Sequence, residues 1–124
     1  MDTNNLVVEK SYKFALRIIK LYKFLIDEKK EYVLSKQILR SGTSIGANIN
    51  EAQSAETKPD FIHKMGISLK ESRETIYWLN LLKDSGYINN KSFNSLNKDI
   101  EELLKIISSI ILTSKNHLKK GNNI

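Results

Sequence analysis

Glu71 and Glu74 stand three residues apart in a stretch of helical periodicity, close enough to serve as paired carboxylates or to help hold a cation. Acids at i and i+3 on a helix are more often a solvated face or partners for basic side chains. A di-iron bundle would add a Glu-x-x-His pair from each of two helices, and neither His63 nor His117 has a glutamate three residues before it. No metal or other cofactor is therefore expected. In His63-Lys64-Met65-Gly66 the lysine follows the histidine directly, the wrong spacing for a phosphorylated helix-surface histidine. No arginine precedes either histidine by four to six residues, the spacing one kind of helical ribonuclease uses. No serine is paired with an ordered base in the manner of a nucleophilic triad. These absences point to a non-enzymatic protein.

The stronger chemistry is electrostatic. Lys10, Lys13, Arg17 and Lys20 fall within about 80° of one another at 100° per residue, with Glu9 the nearby acid. Phe24 extends the row, and Lys23 joins the candidate set. Such a stripe suits sequence-independent contact with phosphates, with Phe24 or Tyr12 available to stack on bases. The plainer alternative is a solvated helix face. The net charge of +6 fits either.

A third constellation surrounds residues 37–52. Leu34, Ile38, Ile45, Ile49 and Ala52 share a narrow apolar arc, and beside it lie Gln37, Arg40, Ser44, Asn48 and Glu51. A polar ridge bordering a buried stripe is expected to be covered by a neighbouring helix and hydrogen-bonded there. Arg40, Ser44, Asn48 and Glu51, with Glu71 and Glu74, form the expected structural network. Arg40 is expected in a buried ion pair with Glu71 or Glu74, worth about 3 to 5 kcal/mol if broken, in preference to direct contact with a ligand. Gly42-x-x-x-Gly46 lets a neighbour come close.

Four amphipathic helices position these groups, over about 5–28, 32–56, 59–84 and 91–118, with a frayed tail at 119–124. The first has two apolar rows, Phe14, Ile18, Leu21 and Leu25 beside Ala15, Ile19, Tyr22 and Ile26. The third carries Phe61, Ile62, Met65, Leu69, Ser72, Ile76 and Leu79 on one face and Ile67, Trp78 and Leu81 on another. The cluster Ile67, Trp78 and Leu81 is either intrachain core or a subunit seam, and two-sided apolarity favours the seam. The fourth repeats Phe93, Leu96, Ile100, Leu103, Ile107 and Ile110 at spacings of three and four. Pro59 and Asp60 suit a helix start and Gly86 a helix stop. Short connections make an all-α, antiparallel up-down-up-down four-helix bundle the natural solution, in a single domain over 1–124. Cysteine is absent, so no disulfide or thiolate site is available. The N-terminus has no basic segment leading into an apolar run, and no stretch approaches a membrane span, so a cytoplasmic protein without membrane contact is expected.

The segment Gln37-x-Leu39-Arg40-Ser41-Gly42-x-Ser44-Ile45-Gly46-Ala47-Asn48-Ile49-x-Glu51-Ala52 is followed by Phe61, Leu69-Lys70-Glu71-Ser72-x-Glu74-Thr75-x-Tyr77-Trp78-Leu79 and Gly86-Tyr87-Ile88. Over nearly the whole chain this resembles the bacterial four-helix-bundle proteins encoded within 23S ribosomal RNA intervening sequences. That family is similar in fold to the accessory proteins of diversity-generating retroelements, which assemble as barrel-shaped homopentamers. The resemblance implies a homopentameric, non-enzymatic bundle associated with RNA or DNA, or with a nucleic-acid-processing protein. The sequence departs from the family pattern at Asn50, Gly66 and Ile67. The competing reading is a structural or adaptor homo-oligomer with a protein partner and incidental charge.

Overall fold

A computed structural model describes residues 3–122, and its regular structure is entirely helical: α1 spans Thr3–Asp27, α2 Leu34–Gln53, α3 Lys58–Asp84 and α4 Asn90–Asn122. Each helix packs on the next and α4 closes onto α1, while among the described residues the backbones of the diagonal pairs stay further apart. Arg40 meets Glu74 where Glu51 meets Lys64, and Lys10 meets Glu102 where Arg17 meets Asp99. Contacts that run in opposite directions along each pair mean antiparallel neighbours, an up-down-up-down bundle. No described helix is long and apolar enough to cross a membrane.

Local chemistry sets the helix ends. Lys30 adopts a left-handed backbone with φ of 55° after α1, and the Glu31 amide then bonds the Leu25 carbonyl at 3.0 Å. The buried Glu31 carboxylate accepts from the Val33 and Ser35 amides at 3.0 and 2.8 Å, satisfying orphan donors at the start of α2. The helix dipole favours a negative charge there. Thr57 caps α3 by accepting from the Asp60 amide at 3.2 Å, with Pro59 in the first turn. Gly86, φ 83°, closes α3: its amide bonds Lys83 O at 3.1 Å and the Tyr87 amide bonds Leu82 O at 2.9 Å, a Schellman motif. Asn89 caps α4 through the Ser92 amide at 2.8 Å.

Two boundaries differ from expectation. α2 stops at Gln53, because residues 54–57 form a turn before the Thr57 cap. Residues 119–122 continue α4 where fraying was expected; Lys119 and Lys120 in the last turn complement the dipole. Residues 123–124 lie outside the described residues.

The core is one cluster fed by all four helices, including Phe14, Ile18, Leu25, Ile38, Ile45, Ile49, Met65, Leu79, Leu82, Ile100, Leu103 and Ile107. The buried face of α3 is Met65, Ser68, Ser72, Thr75, Leu79 and Leu82, so it is half hydroxyl, whereas Phe61, Leu69 and Ile76 pack at its margin. The reason is satisfaction of the hydroxyls. Ser68 donates across the seam to Ile45 O at 2.9 Å, and the Thr75 and Ser41 hydroxyls meet at 2.9 Å. Ser72 donates back to Ser68 O at 2.9 Å.

On its other flank α2 approaches α1 through glycine. A methyl built on Gly42 would lie 2.8 Å from both γ carbons of buried Ile18, and one on Gly46 would lie 3.3 Å from Ser11 Oγ. Gly66, by contrast, faces open space. Gly42→Ala is expected to destabilise by about 1 to 3 kcal/mol through overpacking. Gly66→Ala, at a helical site with no clash, is expected to stabilise by about 0.5 to 1 kcal/mol. Urea midpoints of the two variants check this pair, and a neutral Gly42→Ala would contradict the close approach.

Candidate nucleic-acid interface

The basic row of α1 faces α4, and α4 answers with acids that helical arithmetic on α1 alone does not reveal. Lys10 pairs with Glu102 at 3.4 Å, and Arg17 bonds Asp99 at 2.5 Å and the Ser95 hydroxyl at 2.8 Å. Lys13 pairs within the helix with Glu9 at 2.9 Å, and that bond holds the Glu9 carboxyl below its ordinary range. Three of the five candidate cations are therefore engaged inside the chain, which corrects the reading of Glu9 as the stripe's one nearby acid. Lys20 has no acidic partner among the described residues. Lys23 is exposed, turned about 60° from Lys20 and further from α4.

Beyond Arg17 the row opens into a cavity of about 840 Å³ at the end of the bundle where the α1–α2 and α3–α4 connections come together. Arg17, Lys20, Lys29 and Lys91 line it, and no carboxylate does. Its floor is apolar, with Leu21, Ile88 and Leu96 buried. Phe24 and Tyr87 supply aromatic walls; Phe24 is 40% exposed, with the Lys29 ammonium 5.8 Å from its ring centroid. Cations around an apolar, aromatic-walled hollow can bind an anion that carries a flat ring. Phe24 is in place for stacking, whereas Tyr12 is exposed and does not line the cavity.

Lys29, Lys91 and Tyr87 were not identified from the sequence as site residues, although Tyr87 belongs to the run Gly86-Tyr87-Ile88 that carries the family resemblance. All three sit in or beside connections, where periodicity carries no signal. Ring closure of an up-down-up-down bundle, which brings both connections to the C-terminal end of α1, is the feature that could have found them. A second cavity, about 650 Å³, lies at the opposite end beside Thr57, Lys58 and His117, with Glu56 in its wall. His63 is exposed on α3.

The polar ridge of α2 borders α3 as expected, but its bonding differs. Ser44 donates to Arg40 O at 2.6 Å and Asn48 to Ser44 O at 2.9 Å, both within α2. Glu51 pairs with Lys64 at 3.2 Å. Arg40 bonds Glu74 at 2.8 Å, yet its side chain is 56% exposed, so the pair is not buried. Solvent screening reduces the expected 3 to 5 kcal/mol to about 0 to 1 kcal/mol. The lock between α2 and α3 is made by Ser41, Ser68 and Thr75.

Glu71 lies at this seam with Oε2 inaccessible and without a hydrogen-bond partner. Burial raises its carboxyl above the ordinary range, and hydrogen bonding and repulsion from Glu74 add to this against the opposing pull of Arg40. Trp78 packs on the core with its ring edge-on to Tyr77 at 5.0 Å, and its indole nitrogen is likewise inaccessible and unpartnered. Ile67 and Leu81 are half-buried on the same side of α3.

Residues 3–109 match the family described as 23S rRNA-intervening sequence protein. Among solved structures, the 1.70 Å crystal structure of a protein of unknown function from the S23 ribosomal protein family of Bacteroides thetaiotaomicron is 55% identical. The match covers 89% of this chain and 98% of that one, with a TM-score of 0.88. No curated protein matches the chain.

The Glu71 proton contributes stability that is fully present below the unfolded carboxyl value and lost as pH rises through the raised folded value. Glu71→Gln, which keeps the uncharged form at every pH, is expected to be more stable than the parent at pH 7 and close to it at pH 4. Urea midpoints at both pH values check the sign, and equal differences at the two would contradict it.

Proposed function

The chain belongs to the 23S rRNA-intervening sequence protein family, and from that premise we propose that it is a non-enzymatic, nucleic-acid-associated accessory protein that holds phosphate backbone at the basic cavity where the α1–α2 and α3–α4 connections meet. One observation carries this reading: Lys20, Lys29 and Lys91 converge on one cavity without a carboxylate in its lining, beside Arg17, whose charge is met by Asp99. A region of uncompensated positive potential attracts polyanions through counterion release, with little regard to sequence.

The working form is a homo-oligomer, a pentamer if the likeness to retroelement accessory proteins extends to assembly. Support comes from Tyr12 and Leu16, 63% and 49% exposed on the outer side of α1, and from the half-buried Ile67 and Leu81 on α3. Repeating the groove around a ring multiplies its potential. The second reading, an adaptor whose partner is a protein, draws on the same exposed apolar residues and on the internal pairing of Lys10, Lys13 and Arg17.

Binding to arbitrary RNA or DNA is expected to fall steeply with salt. Combined Lys20→Glu and Lys91→Glu substitution is expected to lower the slope of log affinity against log salt by about 1.4 to 1.8, the release of two phosphate contacts. Both residues are exposed and outside the core, so thermal stability should hold. Unchanged binding in the double variant would favour the adaptor reading. Sedimentation at micromolar concentration is expected to give an oligomer mass, and a stable monomer would refute the subunit seam.

A further inference from the structure

The cavity holds more than phosphate binding requires. A duplex offers a protein its phosphate ridges and keeps base faces stacked inside, so a groove built for duplex backbone needs cations alone. Here the cations rim a hollow of about 840 Å³, within the range of small-ligand pockets. Its floor of Leu21, Ile88 and Leu96 cannot solvate a phosphate. The Phe24 ring, 40% exposed with the Lys29 ammonium 5.8 Å from its centroid, offers an aromatic surface on which a base can stack. Arg17 and Lys20 belong both to the cavity wall and to the α1 row, so a chain leaving the cavity meets Lys13 one turn further along the helix.

Resting on the nucleic-acid reading above, we infer that the occupant of this cavity is an unpaired nucleotide of a single strand, its base against Phe24 and its phosphates among Lys20, Lys29 and Lys91. The groove thereby selects single-stranded segments over duplex. Its sequence preference is weak, because every base has a stacking face.

The test compares one short oligonucleotide, its duplex, the same strand with abasic sites, and a nucleoside monophosphate at one fixed salt concentration, using the full-length protein. The intact strand is expected to bind about 5- to 150-fold tighter than the abasic strand, the ratio that one stacked base commands, and tighter than the duplex by a similar factor. Phe24→Ala is expected to erase most of that advantage, so that intact and abasic strands bind with closely similar affinity. Phe24 lies outside the buried core, and an unshifted melting temperature confirms that the variant is folded. Tyr87→Leu, at the other aromatic residue of the lining, is expected to lower the same advantage. Equal, salt-dependent affinity for intact strand, abasic strand and duplex would overturn the inference and leave the phosphate reading standing. Competition by the monophosphate as effective as by the strand would also overturn it, in favour of a free-nucleotide site. Failure of every nucleic acid to bind would bring down the phosphate reading itself.

Discussion

The bundle depends on how closely α2 can lie against both neighbours. Gly42 and Gly46 admit α1 to a distance at which even one methyl group would collide with Ile18. On the other flank Ser41 takes part in a hydroxyl pair with Thr75, and the Ile45 carbonyl accepts from Ser68. Larger side chains at these positions would push the helices apart and open voids among Ile38, Ile45 and Ile49, which a densely packed interior does not tolerate. Hydroxyl groups serve at the α3 seam because they are small and can discharge their polarity onto nearby carbonyls, so burial leaves little unmet.

That packing has an electrostatic consequence. With α4 closed against α1, Asp99 and Glu102 come to face Arg17 and Lys10, and the positive row is partly neutralised along its length. The uncompensated charge is displaced toward the connections, where Lys29 and Lys91 join Lys20 around Phe24. A stripe that looks continuous on one helix is thus a short paired segment leading to a basic hollow. Exposed pairs contribute little to stability; their larger effect here is on where an anion would settle.

Glu71, Glu74, Arg40 and Trp78 form a different kind of feature at the α2/α3 seam. The carboxyl of Glu71 is pushed toward its neutral form by burial and by Glu74, and the indole nitrogen of Trp78 finds no acceptor. Buried polar atoms without partners are uncommon in folded proteins. Among the described residues they are Ser35 Oγ, Glu71 Oε2 and Trp78 Nε1, and the last two lie on the side of α3 that carries Ile67 and Leu81, the residues placed at a proposed subunit seam.

Apolar spacing in the sequence was enough to establish four helices and the core faces of α1, α2 and α4, because burial of an amphipathic stripe is a local property of the chain. The Gly42-x-x-x-Gly46 pair likewise announced a close approach. The core face of α3 was less readable: Ser68 and Thr75 interrupt the apolar pattern, and only the positions of Ile45 and Ser41 across the seam make them good buried residues. Arg40 had the right partner type and the wrong depth, since exposure depends on what lies over a pair and spacing says nothing of that. For the candidate site, Arg17, Lys20 and Phe24 could be read from α1, whereas Lys29, Lys91 and Tyr87 could not, because the convergence of two connections depends on the closing of the bundle. Periodicity along one helix fixes which way a side chain points; which charges face it across a seam is decided by tertiary structure alone.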